Sequence, residues 1–271
     1  MKRESDRQNG LTLIELLVVI AVIAVLLAVL TPALARAKSQ AMSVVCKSNI
    51  RQLALSNITY AASNKGAFVL AAQDIMSKNL HRWHGVRDNQ NNPFDPTRGP
   101  LASYLADGAV RHCPQRVDFR KQDPWDYNFE QGSGGYGYNM TYIGSRVWER
   151  YSDQKCGEPT RTTEVRSPAA TLMFADAAMA KRDSGQPYYL EYSFAEPFYF
   201  VVNGCPSNAW GNPSPSIHFR HYGKAAIAWC DGHVEDRTMA AHDGVNAYGV
   251  RSAQMKIGWF APLDNSLFDL Q

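Results

Sequence analysis

The sequence predicts an α+β fold in which a long, partly transmembrane N-terminal helix packs on a C-terminal head with an antiparallel β-sheet. Three observations support this prediction. An apolar run is followed by an amphipathic helical pattern, and short strand patterns separated by Gly and Pro fill the rest of the chain. The 271 residues therefore divide into four segments, at 1–10, 11–31, 32–65 and 66–271.

The overall composition is typical of a folded protein. Hydrophobic residues make up 45% of the chain, which suffices for a packed core and excludes a disordered or collagen-like chain. With 28 basic and 25 acidic residues the net charge is +3, so no nucleic-acid partner is expected.

The apolar run is long enough to cross a bilayer. Between residues 11 and 30 only Thr12 and Glu15 interrupt it, and twenty helical residues rise roughly 30 Å. A buried core helix would be less uniformly apolar. A secretory signal is supported by the basic start of the chain and by Ala-Leu-Ala at 33–35 as a cleavage site. Against a signal, the apolar run exceeds the usual length of about 7–15 residues.

The start of this run resembles a known processing site. Residues 9–15, Asn-Gly-Leu-Thr-Leu-Ile-Glu, are similar to the cleavage site of type IV prepilins and type II secretion pseudopilins. The resemblance implies that a prepilin peptidase cuts between Gly10 and Leu11 and methylates the new N-terminus, so that 1–10 is a leader peptide. Glu15 and Pro32 then take positions at which pilins carry Glu and Pro. Leu11 replaces the more usual Phe.

Two residues of the segment are candidates for a role in assembly. An ionisable group in a membrane segment is costly and by default functional, so Glu15 could pair with the free amine of Leu11 in a neighbouring subunit. The alternative is that Glu15 only reaches the polar interface near the end of the helix. Pro32 removes one helical hydrogen bond and softens the helix, or else it marks the membrane boundary.

The exported part begins with an amphipathic helix. Apolar residues recur at three-to-four spacing across 32–65, which indicates that this segment lays one face on the head, and Asn-Lys-Gly at 64–66 is a helix stop. A short helix is expected at Leu101–Leu105. Strands are predicted at Thr171–Ala175, Tyr188–Tyr192, Phe198–Val202, Ser216–His221, Ala225–Cys230 and His233–Arg237.

Further stretches resemble a large bacterial group of pilin-like proteins named for a His, nine residues and Asp-Gly near the C-terminus. Here these are His221, Asp231 and Gly232, in a motif at 221–232. The resemblance spans nearly the whole chain and implies topology and processing rather than an activity. The other similar pieces are Cys46–Leu53, Tyr60, 64–66, 104–105, Cys113-Pro114, 136–139, 167–171 and Asp176.

The motif residues are interpreted as turns rather than as a catalytic pair. Tyr-Gly before Lys224 and Asp-Gly at 231–232 are both turn signals, since Gly and Asp tolerate positive φ. They predict a meander of strands at 216–221, 224–230 and 233–238. His221 and Gly223 would then lie at one end of the middle strand, and Asp231 and Gly232 at the other, so that no catalytic dyad forms.

No cofactor or metal is predicted. Candidate zinc ligands are the histidines at 81 and 84 and those at 218, 221, 233 and 242. The HxxH pair at 81 and 84, however, lacks an obvious helix and a nearby third ligand. No Asp-rich calcium loop, phosphate loop, GxSxG or HExxH occurs. The cysteines are candidates for disulfides of open connectivity in an oxidising periplasm, and their odd number leaves at least one unpaired. They are Cys46, Cys113, Cys156, Cys205 and Cys230.

The resemblance implies a structural subunit of a type IV pilus-like or type II secretion pseudopilus-like filament rather than an enzyme. Its implied partners are a prepilin peptidase/methyltransferase, other pilin-like subunits and the inner membrane. The N-terminus would be cytoplasmic and the head periplasmic, or extracellular in an assembled filament. An alternative is a membrane-tethered or surface-displayed module that binds glycan or protein through aromatic residues. The candidates are Tyr188, Tyr189, Tyr192, Phe194, Phe198, Tyr199 and Phe200.

Overall fold

A computed structural model describes residues 13–115, 117–120, 130–202, 205–206 and 213–270. The chain divides into two compact units, Met1–Ala41 and Met42–Gln271. Helix α1, Leu13–Ser63, begins in the first unit and ends in the second. The other elements belong to the second unit. The predicted α+β class, with a long N-terminal helix and an antiparallel sheet, is confirmed.

The described part of the first unit is helical, and almost all of it is exposed. Large apolar side chains from Leu13 to Leu34 are 49–79% exposed. Such a surface is unfavourable in water, because each apolar Å² left in contact with it costs about 25 cal/mol. The segment therefore has the surface of a helix that is covered by lipid or by other helices.

The rest of α1 is amphipathic and belongs to the head. Its buried positions recur every three or four residues, which places them on one face. The helix ends where the amide of Gly66 donates to the carbonyl of Ala61 at 2.8 Å. The buried residues are Cys46, Asn49, Ile50, Leu53, Ala54, Ser56, Asn57 and Ala61.

The described part of the head contains one four-stranded antiparallel sheet and several two-stranded pairs. The strands are β1 His81–Arg82, β2 Gly85–Val86, β3 Tyr136–Tyr138, β4 Leu172–Asp176, β5 Met179–Asp183, β6 Gln186–Leu190, β7 Val201–Val202, β8 Cys205–Pro206, β9 Ile217–His218, β10 Lys224–Trp229, β11 Val234–Thr238 and β12 Ile257–Gly258. Short helices lie at α2 Asp153–Cys156 and, as 3-10 turns, at Pro96–Arg98, Ala102–Tyr104, Thr162–Glu164 and Ser252–Met255.

The strand order of the main sheet is β11-β10-β4-β3. The predicted pairing of the last two meander strands is confirmed, since β10 and β11 are antiparallel with Ile227 opposite Glu235. The prediction for the first meander strand, at 216–221, is wrong. It shortens to β9, which pairs with β12, and the other neighbour of β10 is β4. The strand that pairs with this edge of β10 therefore lies more than forty residues earlier in the chain.

The main sheet separates two hydrophobic clusters. Ala226 and Ala228 face the cluster that contains the buried face of α1, whereas Ile227 and Trp229 face a second cluster formed with C-terminal segments. Successive residues of a strand point to opposite faces, so a sheet buried on both sides needs apolar residues throughout. This explains the unbroken apolar sequence of β10 from Ala225 to Trp229.

Candidate functional site

The N-terminal helix is the first candidate site. Among the described residues α1 is long and apolar enough to cross a membrane. Glu15 lies in its first turn and is exposed. The proposed cleavage residues Gly10 and Leu11 lie outside the described residues. The helix thus supplies an apolar span with one carboxylate close to its start.

Pro32 lies inside the helix without ending it. Proline has no backbone N–H, so one i→i−4 hydrogen bond is missing here. The neighbouring Thr31 hydroxyl donates to the Leu27 carbonyl at 2.7 Å. A side-chain bond of this kind to the preceding turn often accompanies a bend.

A second site lies inside the head, where four ionisable or nucleophilic side chains converge. One ligand atom from each lies within 4.8 Å of the others. Each comes from a different segment: α1, the loop before β3, the end of β4 and the turn before β10. We name this group the thiol cluster, and its members are Cys46, Cys113, Asp176 and His221.

The contacts within the thiol cluster are short. Cys46 Sγ lies 3.2 Å from Asp176 Oδ1. His221 Nε2 lies 3.5 Å from Cys113 Sγ and 3.4 Å from Asp176 Oδ2. Three members are buried and Cys113 is half-buried. The two sulfurs, the carboxylate and one imidazole nitrogen therefore surround a common point.

A polar shell supports the cluster. The amide of Ala226 donates to Asp176 Oδ2 at 2.8 Å, and the Tyr136 hydroxyl donates to Cys46 Sγ at 3.4 Å. The buried guanidinium of Arg220 has its Nε 3.9 Å from Asp176 Oδ1 and donates through Nη2 to the Gly135 and Ala177 carbonyls. Main-chain groups at the edge of the sheet thus fix the positions of the charged groups.

The electrostatics of the cluster favour the charged forms of Cys113, His221 and Asp176, whereas burial raises the pKa of the Cys46 thiol. The contact with Cys46 and the hydrogen bond to His221 lower the pKa of Cys113 to about 5, against the effect of burial. Burial opposes ionisation of His221, but Asp176 and Cys113 outweigh it and raise its pKa to about 9. Burial is likewise outweighed at Asp176, whose pKa is lowered by Arg220 and His221.

The motif residues lie at the two ends of β10. Tyr222 and Gly223 have φ of 54° and 77°, and the amides of His221 and Lys224 each donate to the other's carbonyl, which makes a two-residue hairpin turn. At the other end Gly232 has a φ of 87°. Asp231 accepts from the amide of His233 at 3.0 Å.

The motif histidine and aspartate therefore contact different partners. His221 reaches into the thiol cluster, whereas the carboxylate of Asp231 contacts the ring of His233 at 2.6 Å. The acidic partner of His221 is Asp176 on β4.

The histidines weighed as zinc ligands do not come together. His81 pairs with Asp74 at 2.9 Å and is partly exposed, whereas His84 is buried beside Glu130. His218 stacks on Tyr189, His233 stacks on Trp229, and His242 Nε2 lies 3.1 Å from the Ile257 carbonyl. In the described part of the chain, His221 is the one histidine of this set that belongs to a group of three or more potential metal ligands.

The aromatic stretch is largely covered. None of its seven members is exposed, and Phe194 is buried. Three of them, Tyr192, Phe194 and Phe200, line a pocket of about 300 Å³ together with Tyr151 and Glu196. Burial raises the pKa of Glu196 to about 7, against the opposing hydrogen bond from the Tyr192 hydroxyl.

Outside the cluster, Cys156 and Cys230 are buried free thiols. The side chain of Cys205 lies outside the described residues. Sequence reasoning named each member of the thiol cluster but did not bring the four together. The available signal was that four separate stretches resembling the pilin-like group each carry one reactive or ionisable member of the cluster. These members are Cys46, Cys113, Asp176 and His221.

The fold and the N-terminal helix define a class: a membrane-anchored α+β protein whose apolar anchor precedes the head. Residues 5–31 match the family described as the prokaryotic N-terminal methylation motif, as found in type IV prepilin-like proteins. The resemblance drawn from residues 9–15 is thereby confirmed over this segment. No curated protein and no solved structure matches the chain.

Proposed function

We propose that the protein is a structural subunit of a type IV pilus-like or type II secretion pseudopilus-like filament. The observation that carries the proposal is the methylation motif at 5–31, placed at the start of an exposed apolar helix. A membrane peptidase cleaves between Gly10 and Leu11 and methylates the amine of Leu11. The protein has no catalytic role in this proposal.

The mechanism is assembly through the apolar helix. In the inner membrane, lipid covers the exposed side chains from Leu13 to Leu34. In a filament, the helices of other pilin-like subunits cover them instead, so the apolar surface stays out of water in both states. The head lies in the periplasm and is carried outside the cell if the filament is a pilus.

Glu15 gives the assembly its register. Cleavage creates a new amine at Leu11, and a carboxylate within the hydrocarbon region is unfavourable unless it is paired. Pairing between Glu15 and the amine of an adjacent subunit offsets both charges. Pro32 supplies a point at which neighbouring helices adjust, because the helix lacks one hydrogen bond there.

Mass spectrometry of the native N-terminus tests the processing step. The expected mature chain begins at methylated Leu11, and Gly10→Val is expected to leave the leader attached. A chain that begins at Arg36 would instead identify a conventional secretory signal cut after residues 33–35.

The assembly step is tested with Glu15→Ala, with Glu4→Ala in the leader as the matched control. We expect Glu15→Ala to be processed and then to be lost from sheared filament fractions, whereas Glu4→Ala is incorporated normally. Normal incorporation of Glu15→Ala would refute the pairing.

The second candidate is a membrane-anchored binding module. It is favoured by the pocket beside Tyr151, Tyr192 and Phe200, since clefts of about 300 Å³ or more with aromatic walls accommodate small ligands such as sugars. A glycan array probed with the full-length protein in detergent tests it. Binding that is lost in Tyr151→Ala supports the module, and the absence of binding to every glycan refutes a glycan-binding role.

A further inference from the structure

In the thiol cluster, two sulfurs, one carboxylate oxygen and one imidazole nitrogen lie within 4.8 Å of one another. Hydrogen bonds between pairs of these groups do not explain why all four come together. We propose that the thiol cluster binds one Zn²⁺ ion in a closed, four-coordinate structural site. The inference is independent of the filament role. It concerns only the second unit of the chain, to which all four ligands belong.

The distances agree with tetrahedral zinc. With zinc–sulfur bonds of about 2.3 Å and zinc–nitrogen or zinc–oxygen bonds of about 2.1 Å, tetrahedral ligand atoms lie roughly 3.4–3.8 Å apart. The observed contacts are 3.5 Å from His221 Nε2 to the Cys113 sulfur and 3.4 Å from the same nitrogen to the Asp176 carboxylate. The contact from Cys46 Sγ to this carboxylate is 3.2 Å. These contacts use different oxygens of Asp176, and the four ligand atoms lie within 4.8 Å of one another, so the most distant ones move closer by up to about 1 Å when the ion binds.

The orientation of the imidazole distinguishes a metal site from a catalytic relay. In a relay the nucleophile contacts one ring nitrogen and the orienting carboxylate contacts the other. Here Cys113 and Asp176 both contact Nε2 of His221, and its Nδ1 is buried with no hydrogen-bond partner among the described residues. One nitrogen cannot donate a single proton well to two acceptors. As a zinc ligand, the same nitrogen turns its lone pair toward the point that the other ligands also face.

The charges of the site also balance around a divalent cation. Two thiolates and one carboxylate carry three negative charges, and Zn²⁺ with the buried guanidinium of Arg220 supplies three positive ones. Binding releases two protons to solvent, so that both cysteines coordinate as thiolates and His221 coordinates in its neutral form.

The set of two sulfurs, one imidazole and one carboxylate favours zinc over magnesium or calcium, which prefer ligand sets made of oxygen. The half-buried Cys113 gives the ion a route of entry from the surface. A zinc ion here joins α1 to β4, to the turn before β10 and to the loop that carries Cys113. It therefore holds the exported half of the helix against the head.

The competing arrangement is a disulfide between Cys46 and Cys113, since their sulfurs are close and the proposed compartment is oxidising. A disulfide uses two of the four groups. It leaves unexplained why an imidazole and a carboxylate converge on the same point. The convergence of all four favours the metal.

The experiment uses the full-length protein, purified from membranes in detergent without chelators. Elemental analysis is expected to give one zinc per chain. Replacement of zinc by Co²⁺ is expected to produce the intense visible bands of tetrahedral cobalt and a thiolate-to-cobalt charge-transfer band. These two measurements need no variant, so they do not depend on how a substitution affects folding.

Variants then assign the ligands. Cys113→Ser and His221→Gln are expected to lower the zinc content at least about tenfold. The matched control is Cys156→Ser, which removes a buried thiol outside the cluster and is expected to retain zinc and the cobalt spectrum. Circular dichroism of each variant shows whether it is folded.

Three results would overturn the proposal. One is a disulfide between Cys46 and Cys113, found by peptide mapping without reduction of protein that holds no metal as purified. Another is zinc that remains at one per chain in folded Cys113→Ser and His221→Gln. The third is a wild-type protein that holds neither zinc nor added Co²⁺ while both thiols react as free. None of them bears on N-terminal cleavage, so failure here is separable from failure of the proposed function.

Discussion

Asn57 is expected to be a main polar determinant of the packing between the head-bound part of α1, from Met42 to Ser63, and the rest of the head. Its side chain is fully buried. Its oxygen accepts from the amide of Val69 at 2.9 Å, and its nitrogen donates to the Tyr138 hydroxyl at 3.0 Å. Asn57→Ala removes both bonds and leaves the Val69 amide buried without its side-chain acceptor.

The expected loss follows from these contacts. A buried donor deprived of its partner costs about 1–3 kcal/mol, and the space left by the shortened side chain adds about 1 kcal/mol. We therefore expect Asn57→Ala to lower the free energy of unfolding by about 3 kcal/mol. For a domain of this size each kcal/mol corresponds to about 2–4 °C, so the Tm should fall by about 9 °C.

The assay is thermal unfolding of the full-length protein in detergent, followed by near-ultraviolet circular dichroism. Asn64→Ala is the matched control, because Asn64 is exposed just after the same helix and its side chain, among its described contacts, bonds only the carbonyl of Tyr60. We expect it to change the stability by less than about 0.5 kcal/mol. Equal Tm values for the two variants would refute the role given to Asn57.

Three further results are expected from the same assay. Arg82→Met should cost about 3–5 kcal/mol, because it leaves Glu130 buried without the guanidinium that now lies 3.0 Å away, whereas Arg98→Met at an exposed pair should leave the Tm nearly unchanged. Gly137→Ala should destabilise the sheet by more than about 2 kcal/mol, since a Cβ would meet backbone atoms at 2.6 Å; a folded variant of unchanged Tm would contradict this. The raised pKa of Glu196 means that the folded protein binds its proton more tightly, so its contribution is present below pH 4.5 and is lost as pH rises through about 7. This contribution should fall by ~2 kcal/mol between pH 5 and 8, so the stability of the wild type relative to Glu196→Gln should decline by that amount over this range.

Much of the fold follows from local pattern. The buried positions of α1 repeat every three or four residues, and β10 is a continuous apolar run between two turn signals. Strand pairing was harder to predict. The turn after His221 suggested that β9 and β10 pair along the chain, but β4 takes that place. Which strand pairs with β10 depends on how both faces are covered, and a local pattern carries no such information.

The thiol cluster, like the strand pairing, could not be predicted from local sequence patterns. Sequence patterns for metals depend on short, fixed spacings between ligands, and the HxxH at 81–84 met such a pattern without forming a site. The cluster instead draws one ligand from each of four distant segments. Its position is set by the packing of α1 on the sheet, so it became visible only with the tertiary fold.

The two halves of α1 differ in how strictly their surroundings are specified. The head-bound half places polar groups on its buried face: Asn49 donates to the His112 carbonyl at 3.2 Å, and Ser56 donates to the Tyr104 carbonyl at 3.0 Å. A shift of α1 by one residue would leave the Asn49 amide buried without this acceptor, at about 1–3 kcal/mol, whereas the Ser56 hydroxyl would lose its bond to the head and keep its 2.7 Å bond to the Gln52 carbonyl. The apolar half can make dispersion and hydrophobic contacts, and lipid tails and neighbouring helices are equally good partners for them. Polar bonds therefore fix the helix to its own head, whereas the apolar half remains able to exchange one environment for another.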